Sequence, residues 1–516
     1  MRKKLSAIVL CFCILISAVV PVNATQKTTP IDEIQSTCPT IFIHGFACGN
    51  IYSNLGTEDE TVVWPMQSDV IMTAVEKAVK PIADYLLTHN WAKFEDALIE
   101  VVNILFEGAW NNPDGSAKEG TGIDWTYPEQ IDPTSSVDFC YDWRGDPLEI
   151  ADQLADFIDY VLIKTGSEKV AIECHSMGGI IFISYAAKYG LDKIHGAIMD
   201  STAVYGASYI GKLFTNEFVL DGEAIYSYLL FAMTGNEYEE VLNFLFDTLF
   251  AMGVFDILEC AAEELVRRSM ERVARECLIP LFGYWTSVWA MLSDADFEKA
   301  ESFVFDTLLI DKTEEHTVLR NRVNAYNDQV RVKRDDILQQ LAEKERLMVI
   351  SRYGFSMAPV SSTWSMQSDG VIDTAYSSFG ATAANYGSYL SEEYLAEHKQ
   401  AGYISPDSIV DASTCAFPDV TWFIKCYPHS NYTVALSALK NAVLFADEPV
   451  NIHSYAEYPQ YMISANGAIV PFESYEKEPC NPLYAYGKLM QYIRDKLEEL
   501  FKTIFDKVAS LFVMPA

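Results

Sequence analysis

The chain has 516 residues, of which 50% are apolar and 21% are charged, so its composition is that of a globular protein and excludes a disordered one. Acidic residues outnumber basic residues by 72 to 37, and the net charge is −35. A surface this acidic repels nucleic acid and anionic membranes, and we expect neither as a partner. The length suits one large domain with an insertion, or two domains.

The first 24 residues have the features of a secretory signal peptide. Basic residues near the start precede an apolar run from Leu5 to Val20, and the segment ends in Ala24, a small residue typical of a cleavage site. An uncleaved membrane anchor is the alternative. We therefore expect a secreted protein, either free or held at the cell surface. Secretion permits disulfides, and Cys415 and Cys426, which flank a predicted strand, are the pair we favour.

Buried strands alternate with amphipathic helices in the first part of the mature chain. Short apolar runs predict strands at residues 39–45, 137–146, 169–174 and 194–201, the second of which ends in a polar loop. Apolar residues at helical spacing predict helices at residues 148–164 and 178–190. This alternation is typical of parallel strands joined by crossover helices, and it predicts an open α/β sheet.

The alternation stops after residue 203 and resumes with predicted strands at residues 346–354 and 419–426. We therefore predict an α/β domain formed by residues 25–203 and 346–516, with a helical cap, residues 204–345, inserted after its sixth strand. Aromatic residues of the cap, such as Phe244 and Trp285, either line a groove for an acyl chain or pack the cap's own core. Residues 489–512 predict an amphipathic helix that docks on the domain.

The segment "ECHSMGG" at residues 173–179 places a serine between a predicted strand and a predicted helix. This is the position of the nucleophile in the G-x-S-x-G turn of α/β-hydrolases, although Cys174 stands where the first glycine belongs. Ser176 is the candidate nucleophile; an ordinary glycine-rich loop is the alternative. An oxyanion needs two backbone N–H donors, which we assign to Met177 and to Phe46 in "FIHGF".

A catalytic serine needs a histidine as base and a carboxylate that orients the histidine, and these follow the serine in the order acid, then histidine. Position along the chain excludes five of the eight histidines and leaves His398, His429 and His453. His429 follows a predicted strand, whereas the other two do not, so we assign the base to His429. The acid assigned is Asp369 in "SDGVIDTAYSSFG", and Asp373 and Asp200 remain as rivals.

The sequence lacks the common signatures of metal and phosphate sites. It contains no HExxH motif, no paired CxxC motif, no EF-hand loop and no glycine-rich phosphate loop. We therefore expect neither a metal nor a cofactor.

Several segments together resemble the lecithin:cholesterol acyltransferase family of α/β-hydrolases. They are "PTIFIHGF", "VVWP", "YDWRGDPLEIADQLADFI", "CHSMGG" and "SDGVIDTAYSS", of which "YDWR" at residues 141–144 is the most particular. The resemblance covers residues 39–203 and 347–432, and the helical insertion is only loosely similar. It implies an α/β-hydrolase fold, a mostly parallel sheet with flanking helices, and acyl-ester chemistry on lipids.

The same resemblance implies a triad of Ser176, Asp369 and His429. The chain departs from the family pattern at two positions: Cys174 replaces a glycine in the turn, and Asp373 stands where the family has proline. The first departure bears on the geometry of the turn, and the second makes Asp373 a competitor for Asp369.

We expect a secreted serine esterase or lipase, or an O-acyltransferase, that acts on lipid or other acyl esters through an acyl-enzyme. A transient contact with a lipid interface fits this substrate class. A catalytically retired binding protein on the same fold and a peptidase are the alternatives. The sequence does not distinguish hydrolase from transferase, and it leaves the oligomeric state unknown.

Overall fold

The structure is a computed structural model, and it describes residues 34–474 except residues 89, 216, 218, 220, 233–238, 254, 257–258, 260–262, 264–266, 269–270, 310–311, 399–401 and 466. The predicted signal peptide at residues 1–24 and the predicted helix at residues 489–512 lie outside the described residues.

A central sheet of eight strands runs through the described part of the chain, in the order β12-β11-β10-β7-β6-β5-β1-β4. All neighbouring strands are parallel except β12, which is antiparallel to β11. The strands of this sheet are β1 (Thr40–Ile43), β4 (Ser136–Phe139), β5 (Val170–His175), β6 (Ile194–Asp200), β7 (Leu347–Tyr353), β10 (Thr421–Lys425), β11 (Tyr461–Ala465) and β12 (Ala468–Pro471). Two small antiparallel pairs are β2 (Ile51–Ser53) with β3 (Thr61–Trp64), and β8 (Thr382–Ala383) with β9 (Val410–Asp411).

Helices flank this sheet. The α-helices that the structure describes are α1 (Ser68–Thr88), α2 (Trp91–Phe106), α3 (Pro147–Thr165), α4 (Gly178–Tyr189), α5 (Ser208–Phe214), α6 (Gly222–Ala232), α7 (Glu239–Ala251), α8 (Thr286–Ala290), α9 (Asp294–Ser302), α10 (Glu314–Gln329), α11 (Arg334–Glu343), α12 (Thr374–Ser377), α13 (Glu392–His398) and α14 (Ser437–Phe445). Two further segments, Ala274–Gly283 and Phe303–Leu308, are π-helical. The chain therefore has an α/β fold with a mostly parallel sheet.

The two faces of the sheet are covered by different helices, as the alternation of side chains along β7 illustrates. Leu347 and Val349 belong to the large apolar cluster that α3 and α4 complete. Met348 and Ile350, which point to the opposite face, belong to a second cluster with Val443 of α14. A strand covered on both faces is mostly apolar, which is why β7 begins as a continuous apolar run in the sequence.

A long helical segment separates β6 from β7, and the insertion predicted at residues 204–345 lies in this segment. It follows the sixth strand along the described chain, although β6 is only the fourth strand of the central sheet in chain order. The sequence analysis did not identify the helical pair α1 and α2 before β4. This pair adjoins the insertion, because Arg272 forms ion pairs with Glu95 and Asp96 of α2 at 2.9 and 2.7 Å.

The predicted disulfide between Cys415 and Cys426 is wrong. Cys415 is a free, buried thiol, and its Sγ donates a hydrogen bond to the carbonyl of Ala412 at 2.9 Å. Burial raises the pKa of this thiol to about 11, so it stays protonated at neutral pH.

The start of α4 packs directly against the end of β1, and the contact leaves no room for a side chain. A Cβ atom on Gly178 would lie 2.7 Å from the carbonyl oxygen of His44 and closer still to that of Ile43. We therefore expect Gly178→Ala to lower the free energy of unfolding by about 3 kcal/mol or more, because both obstacles are backbone atoms that cannot move aside. Urea denaturation measures this loss.

The control is Gly49→Ala, since a Cβ atom at Gly49 would have no neighbour within 4 Å. This variant should unfold within about 0.5 kcal/mol of the unsubstituted protein. Equal stability of the two variants would show that α4 and β1 are further apart than described.

Candidate active site

Ser176 occupies a sharp turn between β5 and α4. Its φ angle is +55°, in the left-handed region that side chains other than glycine rarely adopt. The turn is held from both sides, because the N–H of Ser176 donates to the carbonyl of Asp200 at 3.2 Å and its carbonyl accepts from Ala203 at 3.1 Å. A strained serine held in this way is typical of a nucleophile whose hydroxyl must project from the sheet.

Cys174, which replaces the first glycine of the usual pattern, is accommodated in the core. It lies in β5 opposite Ile43 of β1 and Met199 of β6, and it is fully buried. Burial raises the pKa of its thiol well above the usual value, so the side chain packs as a small apolar group. The substitution is thus compatible with the strained turn that follows.

The three residues assigned to a triad form one hydrogen-bonded chain. Nε2 of His429 lies 2.9 Å from Oγ of Ser176, and Nδ1 of His429 lies 2.6 Å from Oδ2 of Asp369. If Nδ1 carries the ring proton and donates it to Asp369, Nε2 is free to accept the serine proton. The side chains of His429 and Asp369 are 12% and 1% exposed, so the chain is largely shielded from water.

Asp369 is fixed by its own backbone turn. Its Oδ1 accepts hydrogen bonds from the N–H groups of Val371 and Ile372 at 3.0 and 2.7 Å, which leaves Oδ2 for His429. Burial acts to raise the pKa of Asp369, but the opposing effect of His429 and the nearby Arg352 is larger. The pKa of this carboxyl therefore lies below its ordinary value. The carboxylate is therefore charged at neutral pH.

The two rival carboxylates bind other partners. Asp200 accepts hydrogen bonds from Arg352 at 2.8 Å and from Thr433 at 2.6 Å. Asp373 accepts hydrogen bonds from the N–H and the hydroxyl of Ser208 at 2.8 and 2.7 Å, and so ties the loop that carries Asp369 to the start of α5. Asp369 is thus the carboxylate that contacts His429.

The two residues predicted to supply oxyanion donors adjoin the nucleophile. Met177 follows Ser176 directly and precedes α4. Phe46 follows Gly45, where a Cβ atom would lie 2.6 Å from Cβ of Ser176, so the loop at residues 44–49 runs past the serine in close contact. That their N–H groups bind an oxyanion stays a prediction.

The motif "YDWR" has a structural role that the sequence analysis did not assign. The hydroxyl of Tyr141 donates to the carbonyl of His44 at 2.6 Å, and Nε1 of Trp143 donates to the carbonyl of Gly49 at 3.3 Å. These bonds hold the two ends of the loop at residues 44–49, and the ring of Phe46 packs on Trp143 with 4.6 Å between centroids. The motif therefore fixes the segment from which the second oxyanion donor is expected.

A second histidine, His175, packs against the ring of the candidate base. The ring of His175 lies 4.7 Å from that of His429 and 5.2 Å from that of Tyr432. Burial, and then the proximity of His429, lower the pKa of His175 well below its usual value, so this imidazole is neutral. Sequence reasoning placed His175 in the nucleophile loop without giving it this contact.

The aromatic residues of the insertion differ in exposure. Trp285 and Trp289 are each 1% exposed and pack in the protein core. Phe244 and Phe250 of α7 are 43% and 41% exposed. Core packing thus accounts for the two tryptophans, whereas the phenylalanines present apolar surface to the solvent.

Within the described ranges, the structure has neither a metal-binding cluster nor a membrane-spanning helix. No group of three or more His, Cys, Asp or Glu side chains there is arranged to hold a metal ion. None of the helices described is both long and apolar enough to cross a membrane.

No family model matches this chain, and no curated protein matches it. One solved structure with detectable similarity is the crystal structure of the Tle4–Tli4 complex, at 15% sequence identity and a TM-score of 0.19. The match covers 36% of this chain and 48% of that one, so the chain spans about half the length of that structure. A similarity at this level carries no argument about fold or function.

Loss of the Tyr141 hydroxyl should weaken activity without unfolding the protein. If the protein cleaves acyl esters as its sequence predicts, Tyr141→Phe should lower kcat toward a short acyl ester about tenfold, because the carbonyl of His44 loses its donor and the loop at residues 44–49 shifts. KM should change little. Steady-state kinetics measure kcat and KM, and a thermal unfolding curve measures stability. The matched control is Tyr160→Phe, which removes a phenolic hydroxyl that donates to the distant carbonyl of Pro128 at 2.8 Å.

The burial of Asp373 should make stability depend on pH. Burial raises the pKa of this carboxyl from 3.8 to about 6, although its bonds to Ser208 oppose the shift. The folded protein therefore binds more protons than the unfolded chain between about pH 4 and pH 6, and the free energy of unfolding falls as pH rises through this window. Asp373→Asn removes this contribution to the pH dependence of stability.

As the pH rises from 4 to 7, the free energy of unfolding of this variant should therefore increase by up to about 3 kcal/mol relative to that of the unsubstituted protein. Urea denaturation at both pH values measures the change. A difference in stability that is the same at the two pH values would contradict the prediction.

Proposed function

We propose that this protein is a secreted serine hydrolase of the α/β-hydrolase fold that forms an acyl-enzyme on Ser176, either as an esterase or lipase or as an O-acyltransferase. The observation that carries the proposal is the hydrogen-bonded chain Ser176–His429–Asp369, with a strained serine at one end and a buried carboxylate at the other. The resemblance of the sequence to the lecithin:cholesterol acyltransferase family supports the substrate class of lipid or other acyl esters.

The first half of the reaction follows from the contacts. Oγ of Ser176 attacks the ester carbonyl carbon while Nε2 of His429 takes the hydroxyl proton, and the charge of Asp369 stabilises the imidazolium. The carbonyl oxygen becomes an oxyanion, which the N–H groups of Met177 and Phe46 would bind. Each such donor is typically worth about 3–4 kcal/mol of transition-state stabilisation. The alkoxide then leaves with the proton from Nε2, and the acyl group remains on the serine.

The second half returns the serine to its starting state. A water molecule, or a lipid hydroxyl if the enzyme is a transferase, attacks the acyl-enzyme as Nε2 of His429 takes its proton. Collapse of the second tetrahedral intermediate releases an acid or a new ester, and the proton returns to Ser176. Hydrolysis and transfer therefore use the same three residues and differ only in the acceptor that reaches the acyl group.

The fold is consistent with this assignment. The candidate nucleophile, acid and base follow β5, β7 and β10, all at the carboxyl ends of parallel strands, and the helical insertion follows β6. The hydrogen bond between Ser176 and His429 weighs against a retired binding protein, because a serine without a catalytic role does not need a histidine base beside it.

The proposal is tested with a fluorophosphonate probe and a series of acyl esters of increasing chain length, with and without an added alcohol acceptor. We expect Ser176→Ala to abolish labelling and to lower kcat by about 10⁴-fold to 10⁶-fold, because the nucleophile is lost while the fold is kept. Formation of a new ester in the presence of alcohol would identify a transferase.

The matched control is Ser184→Ala, which removes a fully buried hydroxyl from α4 that donates to the carbonyl of Ile180 at 2.8 Å. This variant should keep both labelling and activity. The proposal fails if Ser176→Ala retains full activity on short and long esters, or if the unsubstituted protein is never labelled.

A further inference from the structure

We infer that Arg352, Asp200 and Thr433 form a positioning device that fixes the backbone of the loop carrying His429 relative to the nucleophile turn. The inference rests on the proposed function, since it assigns a role in orienting the proposed base. None of the three residues contacts the reacting atoms through its side chain, so they are positioning residues and not catalytic ones.

Arg352 projects from β7 beneath the base loop, residues 426–433. Its Nη1 donates to the carbonyl of Pro428 at 2.6 Å and to the carbonyl of His429 itself at 3.2 Å. Its Nη2 donates to Oδ1 of Asp200 at 2.8 Å. The guanidinium is fully buried, so water cannot replace it as the donor to these two carbonyls.

Asp200 connects the same loop to the nucleophile. Its Oδ2 accepts a hydrogen bond from the hydroxyl of Thr433 at 2.6 Å, at the far end of the base loop. Its main-chain carbonyl accepts the N–H of Ser176 at 3.2 Å. One residue at the end of β6 therefore touches the backbone of the nucleophile and, through its carboxylate, both Thr433 at the far end of the base loop and Arg352, which binds the carbonyls of that loop.

The loop is also closed on itself. The hydroxyl of Tyr427 donates to the carbonyl of Tyr432 at 2.8 Å, and the guanidinium of Arg352 lies over the ring of Tyr427 at 5.0 Å. The loop thus has a fixed shape, and Arg352 and Asp200 fix its placement on the sheet edge.

The chemistry of the pair favours positioning over stability as its main role. Burying two opposite charges is costly, and well-packed apolar residues of similar volume often give equal or greater stability. An apolar side chain, however, could not satisfy the carbonyls of Pro428 and His429. The planar fork of an arginine donates in several directions at fixed angles, which a lysine cannot reproduce.

The experiment compares two substitutions of different severity. Thr433→Val removes only the hydroxyl that binds Asp200 and keeps the buried ion pair and the side-chain volume, whereas Arg352→Lys keeps the charge and loses the fork. We expect kcat toward a short acyl ester to fall about tenfold in Thr433→Val and about 10²-fold in Arg352→Lys, because the imidazole is misplaced relative to Ser176. KM should stay within about twofold in both, and Thr433→Ser, which keeps the hydroxyl, should restore kcat.

Two controls separate positioning from general destabilisation. Arg334→Met removes another buried arginine, which binds Asp294 at 2.9 Å far from the base loop, and it should lower stability without lowering kcat of the folded enzyme. Proton NMR gives a readout independent of turnover, since we expect a proton in the short 2.6 Å hydrogen bond between Nδ1 of His429 and Asp369 to resonate at unusually low field. This resonance should be present in the unsubstituted protein and in Arg334→Met, and it should shift or disappear in Thr433→Val.

The outcomes are distinct. Unchanged kcat and an unchanged resonance in both folded variants would overturn the inference while leaving the proposed function intact. If Arg352→Lys does not fold, Thr433→Val against Thr433→Ser decides. If the unsubstituted protein has no Ser176-dependent activity, the proposed function fails, and the inference that rests on it fails as well.

Discussion

The parallel direction of the strands in the central sheet is the constraint on which the site depends. Because β1, β5, β6, β7 and β10 run in one direction, the loops that follow them all emerge at the same edge. Residues separated by 253 positions along the chain, Ser176 and His429, therefore come within hydrogen-bonding distance. An antiparallel strand among these five would send its loop to the opposite edge and leave the hydroxyl without a base.

Burial and the neighbouring charges together determine the charge of each titratable group in the candidate site. His175 is kept neutral beside the base, whereas Asp369 stays ionised because its interactions with His429 and Arg352 outweigh the cost of its burial. For Asp200, burial acts to raise the pKa, but Arg352 and then other neighbours hold it at about 2. The site therefore contains fixed negative charges beside an imidazole that must become positive during the reaction, which is the arrangement that proton transfer from a serine requires.

The sequence predicted those parts of the site that depend on local pattern. The strand, turn and helix around Ser176 are contiguous, and the order of acid and base along the chain restricts the remaining choices. The decision between Asp369 and Asp373 could not come from the sequence, since the two carboxylates are four residues apart and differ in the direction in which the turn sends them. That direction depends on Gly370, whose φ angle is +95°, and on the distant Ser208 that binds Asp373.

Other features escaped the sequence analysis because they depend on packing between distant segments. The helical pair α1 and α2 has no motif, and its place beside the insertion rests on ion pairs such as Arg272 with Glu95. Cys415 and Cys426 flank a strand, but flanking a strand does not set the distance and the side-chain directions that a disulfide needs. Signal peptide, domain limits and family membership stay predictions.

The inserted helices are in direct contact with the loop at residues 44–49, which carries the proposed second oxyanion donor. Trp285 of the insertion packs against Phe46 and Trp143, with centroid distances of 5.9 and 5.2 Å. Its Nε1 donates to the carbonyl of Ala109 at 3.1 Å, and that carbonyl also accepts Nη1 of Arg144 from the "YDWR" segment at 3.1 Å. Because the ring of Phe46 is held between these tryptophans, a displacement of the insertion at Trp285 displaces the residue whose N–H is the proposed second donor. One aromatic contact therefore links the insertion to the proposed second oxyanion donor.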